Sequence, residues 1–175
     1  MFSKHAVKLF ALIGLLALSA CGYQPLYATR DDGSSVSQQL TEVNVVLQTT
    51  RVGQMVRNEI VQSTRPAGTQ AQDRFYLKFQ TKDNAETLID TKDTVRRRLA
   101  YNLTAEFQLV DAASSNVIFS GRAFSRVPYD RLDASFANVQ ARVNAEEQAA
   151  KQVGQEMRTR LAAFLATNYT KGTNY

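Results

Sequence analysis

The sequence predicts an α+β fold: a two-layer sandwich with a four-stranded, mostly antiparallel sheet and two helices on one face, in the order β-α-β-β-β-α. Three observations carry that expectation. Apolar and polar residues alternate in several segments, the mark of half-buried strands. Two other segments carry apolar residues at helical spacing. Each alternating segment is apolar on one side only, so one sheet face needs helices over it and the other is left wet or binds something.

The elements follow in chain order. LTEVNVVLQ, Leu40 to Gln48, sets Val43, Val45 and Leu47 on one side and reads as the first strand. In TTRVGQMVRNEIVQS, Thr50 caps a helix whose stripe is Val52, Met55, Val56 and Ile60, with Met55 assigned to packing. Gly53 weakens its first turn by about 1 kcal/mol relative to Ala, and Pro66 and Gly68 end it. RFYLKFQ, Arg74 to Gln80, places Phe75, Leu77 and Phe79 opposite Tyr76, Lys78 and Gln80. A turn over Asp90, Thr91, Lys92 and Asp93 leads into the longest alternation. There Leu99, Tyr101, Leu103, Ala105, Phe107 and Leu109 face one way, and Arg98, Asn102, Thr104, Glu106 and Gln108 the other. The loop from Asp111 to Asn116 precedes VIFSGRAFSRV, Val117 to Val127, with Gly121 as the expected bulge. Beyond Pro128 the period becomes helical through Val139, Ala149, Val153, Met157, Leu161, Phe164 and Leu165, ending near Thr167. Asn144 to Glu147 is a capping box if that helix begins late.

Ahead of these elements, Lys4 and Lys8 precede an uncharged run, LFALIGLLALSA, that leads straight into Cys21. This is the grammar of a secretory signal peptide. An apolar stretch of about twelve residues spans only about 18 Å as a helix, against roughly 30 Å of hydrocarbon, which argues against a permanent transmembrane helix. Leu18-Ser19-Ala20-Cys21 resembles the bacterial lipobox. That resemblance implies cleavage before Cys21, a diacylglyceryl thioether on its sulfur and acylation of the new amino group. Two or three acyl chains hold a protein on a bilayer where one does so only marginally. Under the sorting logic of enteric bacteria, Gly22 in place of Asp directs export to the outer membrane. The expected organisation is a signal peptide over 1–20, a lipidated N-terminus and tether over 21–37, one α+β domain over 38–168 and a frayed tail over 169–175.

Composition removes whole classes of chemistry. The chain has one His, His5, and one Cys, Cys21; the first leaves with the signal peptide and the second is lipidated. The mature domain then has no imidazole and no free thiol, so His/Cys zinc sites, Ser-His-Asp triads and Cys-His pairs are excluded, and no internal disulfide can form. The carboxylate pairs Asp90 with Asp93 and Glu146 with Glu147 read as turn and helix-surface residues, since nothing places them in an apolar pocket. The eight glycines are scattered and form no phosphate loop. No cofactor is expected. The formal charge of +5 shrinks once Lys4 and Lys8 are gone. That mild surplus suits an anionic partner, and an exported lipoprotein gives no reason to expect nucleic acid.

The lipobox followed by CGYQPLY, the strand RRRLAYNLTAEFQLVD, and the stretch from RLDASFANV through EEQAAKQVGQEMRTRLAAFL together resemble the LPS-assembly lipoprotein family, LptE, in its alphaproteobacterial form. The likeness covers nearly all of the mature chain. It implies a non-enzymatic, lipid-anchored protein on the periplasmic side of the outer membrane. Its partner would be the outer-membrane β-barrel LptD, whose lumen it plugs while the pair inserts lipopolysaccharide into the outer leaflet. Two rival classes remain: another envelope lipoprotein serving lipid trafficking or scaffolding, and a lipid-anchored enzyme, which the absent His and Cys disfavour.

For contact with lipopolysaccharide phosphates the best candidates are Arg96 and Arg98, with Lys92 in the preceding turn. In a strand, Arg96 and Arg98 project from the same face about 6.5 to 7 Å apart, with Arg97 opposite. Two guanidinium forks so placed can each take a pair of phosphate oxygens. The competing reading is a solvated strand end that discourages edge pairing.

Overall fold

The computed structural model describes residues 35–65, 68–69, 71–89, 97–131 and 134–168, with the side chains of residues 89 and 97 left aside. The signal segment, Cys21, most of the tether, the Asp90 to Asp93 turn and the tail lie outside these residues. The described chain is an α+β sandwich: α1 (Val36–Thr41), β1 (Val43–Val45), α2 (Arg51–Thr64), β2 (Phe75–Ile89), β3 (Arg97–Asp111), β4 (Val117–Arg131) and α3 (Ser135–Asn168). The sheet order is β1-β2-β3-β4, with β1 parallel to β2 and the remaining pairs antiparallel.

The first two helices start where a hydroxyl takes an orphan backbone N–H. Ser35 Oγ accepts from the Gln38 N–H at 3.1 Å, and Thr50 Oγ1 accepts from the Gly53 N–H at 3.1 Å, as the sequence predicts for Thr50. The first cap corrects the expected strand and tether end. Val36 and Ser37 open α1, Leu40 and Thr41 close it, and β1 keeps only Val43–Val45. Val36 and Leu40 lie one helical turn apart and both are buried, so the apolar pattern there is helical. Leu47, expected to continue the strand's apolar side, is 79% exposed.

The three long strands each run 15 residues. β2 passes well beyond the expected end at Gln80 because its polar second half pairs with β3 as far as Ile89. Gly121 is no bulge. The register shifts lie at Leu109/Val110 and at Thr87/Ile89. Gly121 stands opposite Phe107, where a Cβ would come within 2.6 Å of the ring's Cζ, so glycine is what lets that ring lie across β4.

The core fills the space between one sheet face and the helices. Phe75, Leu77, Tyr101, Leu103, Phe107 and Leu109 project from the sheet; Val56 and Ile60 from α2 and Val153, Met157, Leu161 and Leu165 from α3 meet them. Phe119 joins the layers, edge-on to Phe107 at 5.8 Å and stacked on Phe164 at 4.6 Å. Close approach of α2 and α3 depends on Gly154, where a Cβ would sit 2.8 Å from Glu59 Cγ. α3 begins at Ser135 and runs through the expected capping box; Asn144 instead accepts a hydrogen bond from Gln140 at 3.0 Å. The early turns of α3 overhang the core, leaving Phe136 at 83% and Val139 at 62% exposure. Among the described residues no helix is long and apolar enough to cross a membrane.

Candidate functional site: the open face of the sheet

With all three helices on one side, the other face of β2, β3 and β4 is open. Strand alternation fixes what it presents, and register sets the rows: Lys78, Gln108 and Ser120; Gln80, Glu106 and Arg122; Asn84, Asn102 and Arg126. Its charges are largely paired across strands. Arg122 donates to Glu106 at 3.0 Å, Arg126 to Glu86 at 3.0 Å, and the Asn102 amide to Glu86 at 3.2 Å. Such exposed pairs contribute little stability. They leave a surface dense in donors and acceptors, with Lys78 and Lys82 as its unpaired charges among the described residues. A shallow depression of about 770 Å³ runs along it between Lys78, Gln80, Gln108 and Arg122. Phe124, opposite Thr104, is 52% exposed and, with Tyr76 and Val117, is among the large apolar side chains exposed on it.

Of the residues expected to bind, Cys21, Lys92 and Arg96 lie outside the described residues. Arg98 lies on the open face at its far end, where its Nε is 3.7 Å from the Asp130 carboxylate on β4, both side chains more than half exposed. The expected Asp90 and Asp93 pair also lies outside. Glu147 is exposed as expected, whereas Glu146 is not a helix-surface residue: it is 6% exposed. It accepts from Arg51 at the start of α2 and from Arg142 one turn earlier on α3. A buried carboxylate needs such partners, and here they join the two helices.

That ion cluster meets the sheet at Tyr101. Tyr101 is fully buried, and its hydroxyl has no hydrogen bond of normal geometry although it faces the Asp83 carboxylate. Burial, and then Asp83, push the phenol's pKa up from 10.0, while Arg142 and Arg51 pull the other way. At the opposite end of the molecule, Asp73 accepts from Asn44 at 2.6 Å and from Arg65 at 2.7 Å, and these two hydrogen bonds hold its carboxyl below the usual 3.8. Among the described residues no three His, Cys, Asp or Glu converge as a metal site.

Sequence reading missed both clusters, because Arg51, Asp83 and Glu146 are indistinguishable from surface charges until the fold brings them together. Of the Arg122–Glu106 and Arg126–Glu86 pairs, only Glu106 was read as lying on a polar strand face.

The fold defines a class: a helix-backed, mixed four-stranded sheet with one face bare. No protein-family model matches the chain, and no curated protein does. Among solved structures it is similar to a candidate lipoprotein from Caulobacter crescentus CB15, with a TM-score of 0.62, 20% identity, and coverage of 77% of this chain and 98% of that one. It is also similar to a minor lipoprotein from Acinetobacter baumannii, with a TM-score of 0.50, 11% identity, and coverage of 69% and 88%. At these identities the likeness is one of fold.

Proposed function

We propose that this chain is an outer-membrane lipoprotein, anchored through Cys21 on the periplasmic side, that plugs the LptD β-barrel and assists its assembly for lipopolysaccharide insertion. The observation that carries the reading is the open face: three 15-residue strands whose outward side chains are mostly polar, with most of the charges paired across strands. The lumen of a transmembrane barrel is polar, so a plug must offer it hydrogen-bonding surface while keeping its own core closed. The lipobox resemblance, the likeness of the mature chain to LptE, and the fold shared with two proteins named as lipoproteins all support it. The role is non-enzymatic; the open face binds and fills. Arg96 and Arg98, with Lys92, are the residues we assign to lipopolysaccharide phosphates.

Replacing the wild-type copy by Cys21→Ala tests the anchor and the role together. The variant is expected to take up no labelled palmitate and to lower the amounts of correctly assembled barrel and surface lipopolysaccharide in parallel. Undiminished labelling would end the lipoprotein reading. Lost labelling with both amounts unchanged would favour the alternative, an envelope lipoprotein acting as a lipid-trafficking or scaffold accessory.

A further inference from the structure

The two edges of the sheet are treated differently. On the outer edge of β4, the Phe124 N–H donates to Glu156 Oε2 of α3 at 3.1 Å, and Glu156 is held in turn by Arg160 at 2.6 Å. Pro128, four residues on in the same register, stands where an N–H would also point outward, and it has none. This edge is blunted.

The outer edge of β2 is not. β1 covers it only from Phe75 to Leu77, with a last bond from the Val46 N–H to the Leu77 carbonyl at 3.1 Å. Because Phe75 donates toward β1 and Leu77 accepts from it, the odd residues of β2 point their backbone groups outward. Among the described residues, Thr81, Asp83, Ala85 and Thr87 therefore carry outward N–H and C=O groups with no strand beside them, up to the irregularity between Thr87 and Ile89. The segment contains no proline, and Lys82 through Leu88 are exposed.

We infer that this edge pairs antiparallel with the same edge of a second copy, about a two-fold axis at Asn84. The charge pattern selects both the occupant and the register. Antiparallel pairing requires odd residues to face odd ones, so the axis passes through a residue. An axis at Lys82 sets two ammonium groups opposite each other, and one at Asp83 sets two carboxylates opposite. At Asn84, Lys82 of each copy faces Glu86 of the other, Asp83 faces Ala85, and Thr81 faces Thr87. Opposite charges directly across a strand pair are favourable and like charges are not. Lys82 has no ion pair among the described residues, so its charge is available for this contact. The inference stands independently of the barrel reading.

The register gives a covalent test. At a non-hydrogen-bonded antiparallel pair the Cα atoms are about 4.5 Å apart, within disulfide range. The two Lys82 positions would be about 14 Å apart, well outside it. The detergent-solubilised full chain carrying Asn84→Cys is therefore expected to form a cross-linked dimer on copper-phenanthroline oxidation. Lys82→Cys should stay at the background set by the parent chain and its Cys21. In sedimentation velocity the parent should be dimeric. Ala85→Pro, which removes an outward N–H without touching the ladder to β3, and Lys82→Glu should each weaken the dimer at least tenfold while melting cooperatively. A monomeric parent at about 100 μM, or equal cross-linking at positions 82 and 84, would overturn the inference. So would an edge protected by some other chain.

Discussion

Tyr101 carries the clearest electrostatic consequence of any single residue. Its hydroxyl is buried without a hydrogen bond of normal geometry, and desolvation raises its pKa above the ordinary 10.0. The folded state thus keeps a proton that the unfolded chain gives up. Nothing is lost below pH 10, and stability falls as pH rises beyond it. Tyr101→Phe removes both the unpaired hydroxyl and this titration. It is expected to change stability near pH 7 by less than about 1 kcal/mol and to lift stability relative to the parent above pH 10. Denaturant melts from pH 7 to 11 would show it; a variant no better at pH 11 than at pH 7 would mean that Tyr101 ionises freely. At the strand's entrance, replacing both Arg96 and Arg98 by Glu should weaken lipopolysaccharide binding by the mature chain at least tenfold and reduce its salt sensitivity, with circular dichroism and melting temperature confirming the fold. Charge-assisted contacts are worth about 1.5–3 kcal/mol each when desolvated. Arg98 already lies 3.7 Å from the Asp130 carboxylate, so binding must take it from an exposed ion pair. Unchanged affinity would leave these arginines as solvated charge at a strand end.

At the scale of elements, legibility followed burial. Phe75, Leu77 and Phe79 alternate with polar residues because the helices cover one side of them, and the long alternation from Leu99 to Leu109 was readable for the same reason. The second half of β2 was silent: Asp83, Ala85 and Thr87 point to the helix side but are exposed, so no period of two marks them. The strand persists there because its backbone pairs with β3. α3 was read from its stripe and not from its start, and Val139, counted in that stripe, does not join the core because the early turns, Phe136 included, overhang it. Val36 and Leu40 were helical signals too few to outweigh the β-branched run that follows. The shape of β4 is set at Gly121 by the Phe107 ring 2.6 Å from where a Cβ would stand. Gly121→Ala should cost about 1–3 kcal/mol, lowering the melting temperature by roughly 2–4 °C for each kcal/mol. An unchanged melting temperature would show that Phe107 moves aside freely.

The whole molecule is two-faced, with its core sealed by three helices on one side of the sheet and a paired polar surface on the other. The two-layer design was legible because one-sided alternation permits little else. The proposed binding role was not legible, because a solvated face and a lumen-facing one have the same composition. What distinguishes them is contact. A photo-crosslinking residue placed at Gln108, on the middle strand of the open face, tests this most directly in intact cells, with a second at Lys151 on the exposed side of α3 for comparison. The account predicts that the Gln108 probe captures LptD as its main product. Capture of LptD from Lys151 alone, or of some other envelope protein from Gln108, would contradict it.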